Sequence, residues 1–248
     1  MGLSTACRKG LFMKNNVKVA GIISSAREGS HSAAMVRAAL EGAAATGAKT
    51  ELILLPEQRI GFCTGCLKCM RAGRCWQNDD FEAVKRVMCE ADGIIWGSPV
   101  YAAAPNAIMK NLIERLGMLE VCTSSLGSKY MAGIAAAKSP GTAKKVARSL
   151  ARFGSSGTFA RSFASGTLGE GFSRGRTMDE SALNKARRLG AKIVGDISRS
   201  RRYPLQNLPQ RLITGLFMRP AFSRYILENR EGDAGVLYDC LHDRGLLE

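Results

Sequence analysis

Val17-Lys18-Val19-Ala20-Gly21-Ile22-Ile23 runs without a break into Ser24-Ser25-Ala26-Arg27-Glu28-Gly29-Ser30-His31-Ser32, and an alanine-rich stretch follows from Ala33. The first seven residues are apolar but for Lys18, four of them β-branched, and without helical period, the mark of a short buried strand. The stretch from Ser32 repeats its apolar positions as a helix does. Between them lies a polar loop. Backbone N–H groups at the start of a helix, joined by the Ser25, Ser30 and Ser32 hydroxyls, surround a phosphate without needing a divalent metal. Arg27 adds a charged fork. The loop is neither G-x-G-x-x-G nor G-x-x-x-x-G-K-[ST], so dinucleotide-fingerprint and triphosphatase readings lose their support and a monophosphate fits better. The plain alternative is a strand-to-helix turn with serine caps.

Working outward, strand and helix patterns alternate from residue 17 to about residue 198. Short apolar runs stand at 17–23, 49–55, 92–97, 129–136 and 158–165, and helical patterns at 32–46, 79–91, 105–117, 140–153 and 179–198. Such alternation predicts an α/β fold, a doubly wound five-stranded parallel sheet of flavodoxin-like layout. Ser32, Asp79 and Asp179 are placed as caps or first-turn acids. The connections at 59–78 and 166–178 exceed an ordinary loop, which points to function.

A second loop follows the third strand, Trp96-Gly97-Ser98-Pro99-Val100-Tyr101-Ala102-Ala103-Ala104-Pro105. Small side chains and proline leave backbone groups free to bond a flat heterocycle at the point where ligands bind in such sheets. The plain alternative is a turn with Tyr101 packed locally.

The connection at 59–78 carries Cys63, Cys66, Cys69 and Cys75 in a C-x2-C-x2-C-x5-C array, with Gly65 and Gly73 between them. Two-residue spacings let consecutive sulfurs converge on the corners of a [4Fe–4S] cubane, with a fourth ligand from further on. Zinc is the competing metal, although its cysteine pairs usually stand further apart. A metal-free set of reduced structural or redox thiols is the third reading. Cys7, Cys89, Cys122 and Cys240 have no such spacing and read as buried or incidental thiols.

Taken together, residues 17–198 resemble the flavodoxin-like NADPH-dependent FMN reductases, whose loops read G-S-P-R-x-x-S-[NH]-[ST] and G-S-P-x-Y. The cysteine array followed by Asp79-Asp80 resembles the iron–sulfur flavoprotein branch of that family. The resemblance implies that Ser25, Arg27, Ser30 and Ser32 hold the FMN phosphate with His31 nearby, and that Pro99, Val100, Tyr101, Ala102 and Ala103 contact the isoalloxazine. It also implies a [4Fe–4S] cluster on Cys63, Cys66, Cys69 and Cys75 that relays single electrons to FMN. Ser24 stands for the family's Gly and Ala26 for its Pro, a departure that touches loop geometry and removes no phosphate donor.

The 248 residues, 46% of them hydrophobic, suffice for one domain with an appendage. Residues 1–16 read as an N-terminal extension, with Met13 a candidate start. Residues 17–198 form the FMN-binding domain with its cysteine loop, and 199–248 a C-terminal helical extension. Pro204, Pro209 and Pro220 break the pattern there, and Leu208 to Leu227 reads as amphipathic helices packed on the domain or on a second subunit, with a membrane-surface role the minority reading. No apolar run reaches the roughly 20 residues that span a bilayer, nor does the start carry the roughly 7 to 15 residue core of a secretory signal. A cytoplasmic protein without stable membrane insertion is expected.

The net charge of +15 is uneven: residues 125–202 hold sixteen Lys and Arg against four Asp and Glu. Aromatic residues are too sparse there for a base-stacking module, so nucleic acid is not expected as a partner. A basic surface that attracts phosphorylated cofactors or acidic redox partners fits better. No catalytic residue is assigned. His31 and His242 are the only histidines, and flavin chemistry requires positioning rather than a side-chain acid or base. The expected activity is an FMN-dependent oxidoreductase fed by NAD(P)H or a carrier such as ferredoxin and assembled as a homo-oligomer. A cluster-free NAD(P)H-dependent FMN or quinone reductase and a non-enzymatic electron carrier are the alternatives.

Overall fold

The computed structural model describes residues 16–155, 157–172 and 178–247. The proposed extension with Met13 and Cys7, and part of the 166–178 connection, therefore lie outside the described residues. Five parallel strands form the sheet: β1 Lys18–Ile23, β2 Lys49–Leu54, β3 Gly93–Tyr101, β5 Tyr130–Ala137 and β6 Phe163–Gly171, with β4, Ala104–Pro105, folded back on the end of β3. Their order is β2-β1-β3-β5-β6, the flavodoxin-like order with chain reversal between β1 and β3.

Period-two alternation decides which helix covers which face. Val19 and Ile23 of β1, with Ile95, Ala132 and Ile134, meet α1 (His31–Ala44) and α6 (Glu180–Ser198). Ala20 and Ile22, with Ile94, Trp96, Met131 and Ala135, meet α3 (Phe81–Glu90), α4 (Ala107–Thr123) and α5 (Pro140–Ala151). Helices α1 and α6 cross closely because glycine stands at the contact: a Cβ on Gly190 would lie 1.7 Å from the Ala39 carbonyl oxygen.

Several boundaries differ from the sequence reading. The expected connection at 166–178 is strand as far as Gly171, because β6 keeps register with β5 up to Ala137. β3 runs on through Ser98 to Tyr101 because Gly97, Ser98 and Pro99 keep register with Ile134, Ala135 and Ala136 of β5. α4 continues to Thr123, with Leu119 and Cys122 buried, until Ser124 takes a left-handed conformation at φ 46°. The last strand begins at Phe163 rather than 158 because Ser162 closes the preceding turn, donating to the carbonyls of Gly154 at 3.0 Å and Phe153 at 2.7 Å.

Between β2 and α3 the chain forms a 3-10 turn, Leu55–Glu57, and one short α-helix, α2 (Lys68–Ala72). Beyond α6 lie α7 (Leu208–Ile213), a π-helical segment Thr214–Met218, α8 (Arg219–Glu228) and α9 (Gly235–His242). A small core of Phe159, Ile226, Ala234, Leu241 and Leu247 joins this tail to the sheet domain. Arg244 adds hydrogen bonds to the carbonyls of Thr123 and Ser124. No helix among the described residues is long and apolar enough to cross a membrane.

Candidate functional site

Parallel register carries the ends of β1 and β3 to the same edge, Ile23 opposite Gly97. The Ser24 N–H and hydroxyl both donate to the Gly97 carbonyl, at 3.1 and 3.2 Å. Asn106, which the sequence reading passed over, ties the two loops together. Its Nδ2 donates to the Ser24 carbonyl at 2.8 Å, its backbone N–H to the Ser98 hydroxyl at 3.1 Å, and its Oδ1 accepts from the Met109 N–H at 3.1 Å, capping α4. A polar Asn immediately before a helical pattern was the available signal.

In the first loop, Ser30 occupies the N-cap position of α1 but does not cap it: its hydroxyl lies 3.0 Å from that of Ser32, and both side chains are buried. The start of the helix therefore keeps N–H donors that no side-chain cap has taken. Ser25 Oγ accepts from the Arg27 N–H at 3.4 Å, Arg27 itself is exposed, and Gly29 turns the chain at φ 65°. The His31 ring stacks on Phe172, centroids 4.0 Å apart and the ring planes nearly parallel.

The second loop is more than the plain turn that stood as the alternative reading. Val100 pairs with Pro105 and Tyr101 with Ala104, leaving Ala102 and Ala103 as a two-residue hairpin turn at φ 48° and 59°. Such turns normally use Asn-Gly or Gly-Gly, since L-residues are strained there. Tyr101 stands 62% exposed at its base, so the hairpin projects an aromatic ring beside the first loop.

The cysteine loop hangs from a polar stem. Asp80 Oδ2 accepts from the Arg59 N–H at 2.7 Å and Asp79 Oδ2 from the Gly61 N–H at 2.9 Å. Asp79 thus serves the Phe81 N–H at 3.1 Å while Asp80 takes the cap position of α3. From α4, Arg115 reaches under the loop. Its guanidinium holds Asp79 through two hydrogen bonds of 2.7 and 3.0 Å, donates to the Gly61 carbonyl at 2.7 Å, lies over the Phe81 ring and stands beside the Cys75 thiol. Burial would raise the Asp79 carboxyl, but Arg115 and the Gly61 and Phe81 N–H groups hold it below the usual carboxylate range. Sequence reasoning missed Arg115, because a lone arginine on a helix looks the same whether it faces water or a loop 36 residues away.

Of the four array cysteines, Cys63 and Cys66 are exposed and Cys69 and Cys75 half-buried. Leu67, Gly65 and Gly73 all take positive φ between them. The Lys68 N–H and the Thr64 hydroxyl lower the Cys66 thiol. Burial raises that of Cys69, and Cys75, Cys66 and Cys63 raise it further, so the four sulfurs lie within electrostatic reach of one another. They do not close into a ligand cage: among the described residues no three His, Cys, Asp or Glu side chains converge as a metal-holding group. The donor chemistry nevertheless suits an anionic sulfur group, because Arg115 Nε is buried without a hydrogen-bond partner beside Cys75. Cys122, buried below, is pushed up to about 11 by burial and by Cys69. Cys89 is buried, Cys240 half-buried, and His242 stacks on Tyr238.

The family model described as NADPH-dependent FMN reductase matches residues 17–168. An iron–sulfur flavoprotein of Archaeoglobus fulgidus is 33% identical over 179 residues, 72% of this chain and 79% of its own length. One from Methanocaldococcus jannaschii is 39% identical over 105 residues, 42% of this chain and 54% of its own. Among solved structures, a flavone reductase superposes with a TM-score of 0.56 at 19% identity, covering 73% of this chain and 63% of that one.

Proposed function

As a member of the NADPH-dependent FMN reductase family, in its iron–sulfur flavoprotein branch, the chain is an FMN-dependent oxidoreductase, and we propose that the loops at the β1 and β3 edge are where FMN sits. The uncapped start of α1 carries this reading. Ser25, Ser30 and Ser32 surround the phosphate there with Arg27 as the charged fork, and His31, fixed against Phe172, lines the same turn. Pro99, Val100, Tyr101, Ala102 and Ala103 hold the isoalloxazine edge, the hairpin setting its backbone groups and Tyr101 ring toward it. Asn106 keeps the two loops at a fixed separation. Residues 17–198 are the flavin domain with its cysteine loop at 59–78, and 199–248 the helical extension.

We further propose that Cys63, Cys66, Cys69 and Cys75 hold a [4Fe–4S] cluster, with Arg115 balancing part of its negative charge. FMN, when bound, exchanges two-electron for one-electron chemistry, and a cluster relays single electrons. Electrons come from NAD(P)H or from a reduced protein such as ferredoxin, whose docking the exposed Phe62, Leu67 and Trp76 around the cysteines would favour. A cytoplasmic setting agrees with eight cysteines kept reduced.

One observation favours a second reading, a cluster-free reductase: the cysteines do not converge in this structure. The deciding experiment measures iron, acid-labile sulfide and the visible spectrum of protein purified without oxygen, beside a Cys66→Ser, Cys69→Ser variant. About four irons and four sulfides per chain, lost in the variant while flavin bands persist, are expected. Flavin without iron leaves the cluster-free reductase. Loss of flavin on Ser30→Ala, Ser32→Ala substitution is expected as well, and unchanged flavin content there refutes the phosphate assignment.

A further inference from the structure

Residues 197–227 contain six arginines, at 199, 201, 202, 211, 219 and 224, and no Asp, Glu or Lys. The same stretch holds large apolar side chains in water: Leu205 is 80% exposed, Leu216 and Phe217 68% each, Leu212 55% and Ile213 50%. Proline does not break it. The chain is helical without interruption from Leu208 to Glu228, the π-helical turn at Thr214–Met218 coming just before Pro220, where a wider turn accommodates the missing N–H. Between Leu208 and Pro220 only Thr214 is buried.

A second observation concerns the root of this helix. Arg161, whose guanidinium donates to the Tyr203 carbonyl at 3.1 Å and lies over Phe163, is close enough to Arg202 and Arg211 for both to act on its charge. Among the described residues no carboxylate pairs with any of the three. Among the described residues, the ion pair of Arg201 with Asp196, at 3.6 Å, is the one salt bridge to the arginines of this stretch. Three like charges gathered beside an exposed apolar helix are stable only where an anion or high dielectric answers them.

We propose that residues 202–224 dock the protein in the interface of an anionic lipid bilayer, the arginines on headgroup phosphates and Leu212, Ile213, Leu216 and Phe217 in the acyl boundary. A bilayer of this kind takes up both halves of the surface. A nucleic acid would neutralise the arginines and leave the four apolar side chains in water. A second copy across a two-fold axis would cover the apolar side chains but set this arginine set against itself. The inference stands apart from the flavin and cluster assignments, since none of these residues belongs to either site.

The test is flotation of the full-length protein with phosphatidylcholine vesicles and with vesicles of phosphatidylcholine and phosphatidylglycerol, at about 0.1 M and about 1 M salt. Leu216→Ser, Phe217→Ser and Arg202→Ser, Arg211→Ser variants run beside it, with circular dichroism as the folding check. Binding to the anionic vesicles alone is expected. It should be weakened about 30-fold by the arginine pair of substitutions, abolished by the apolar pair, and reduced at high salt. Failure of the native protein to float on anionic vesicles overturns the proposal without reference to any variant. So does equal flotation on both vesicle types. A native dimer by light scattering that the apolar substitutions convert to monomers, with no vesicle binding, overturns it in favour of a copy interface.

Discussion

Replacing Arg115 by methionine isolates what holds the cysteine loop to the domain. The side chains of Arg115 and Asp79 are 1% and 14% exposed and meet at 2.7 Å. The substitution keeps most of the volume against Phe81 but leaves Asp79 charged and nearly dry, which costs about 3 to 5 kcal/mol. For a chain of this size that lowers the melting temperature by about 6 to 20 °C. Asp79→Asn should cost less, and the Arg115→Met, Asp79→Asn double variant less than the sum of the two, a coupling of about 2 kcal/mol or more. The acid limb carries the sign. Asp79 has a folded pKa below its unfolded value, so its contribution is complete above about pH 4 and is lost as pH falls through the folded value. With Arg115 gone, burial is opposed only by the Gly61 and Phe81 N–H groups, so the carboxyl pKa rises from its parent value and the acid limb should flatten. Thermal melts by circular dichroism across pH 3 to about 8 read both effects. Additive single effects, or a melting temperature for Arg115→Met within about 2 °C of the parent, refute the buried-pair argument.

Other expectations follow from single contacts. The Ala102→Asn, Ala103→Gly variant supplies the residues a hairpin at φ 48° and 59° prefers and should gain about 1 kcal/mol, seen as a melting temperature about 2 to 4 °C higher; no gain means the turn is unstrained. Gly190→Ala forces a methyl against the Ala39 carbonyl and should cost about 3 kcal/mol, whereas Gly215→Ala, with nothing within 4 Å of its would-be Cβ, should not; equal denaturant midpoints for the two would contradict the close crossing of α1 and α6. Burial would raise Asp196, but Lys192 at 2.7 Å and the Tyr203 hydroxyl hold its pKa down. Its stabilisation should therefore be lost as pH falls below about 4, and Asp196→Asn should flatten that limb in the same melts.

What the sequence made legible is what depends on period and local chemistry. Val19 and Ile23 against Ala20 and Ile22 show two buried faces, and that alternation is enough for a parallel sheet with helices on both sides. Asp179 as a cap follows from its neighbours alone and accepts from the Ser181 N–H at 3.0 Å. Where the reading erred, a partner far along the chain decided. β3 extends past Gly97 because β5 offers it register, and Ala102-Ala103 forms a hairpin that its own propensities disfavour. Arg115 and Asn106 were invisible for the same reason, since their roles exist only once Gly61, Asp79 and Ser24 have been brought to them. Pro220 was read as a breaker by its local rule, but a π-helical turn ahead of it lets the helix continue.

The unsatisfied features of the structure are unevenly distributed. Three buried side-chain polar atoms lack a hydrogen-bond partner among the described residues, and two of them, Asn111 Oδ1 and Arg115 Nε, lie on α4 beneath the cysteine loop. The same side chains are otherwise fully used, Asn111 Nδ2 donating to the carbonyls of Ile60 and Gly61 and Arg115 to Gly61 and Asp79. Interiors normally satisfy such atoms, so these stand out against an otherwise well-paired core. The uncapped start of α1 and the two left-handed alanines belong to the neighbouring loops of the same sheet edge. Local rules are broken where a sequence serves a site rather than a fold; such breaks stand at the two loops and the cysteine array, and others stand at Ser165 Oγ and at the left-handed Ser124, Ser128, Ser200 and Asn207. Arg115, which donates to the Gly61 carbonyl in the stem and stands beside the thiol of Cys75, is the residue through which a change in the array would be felt by the fold.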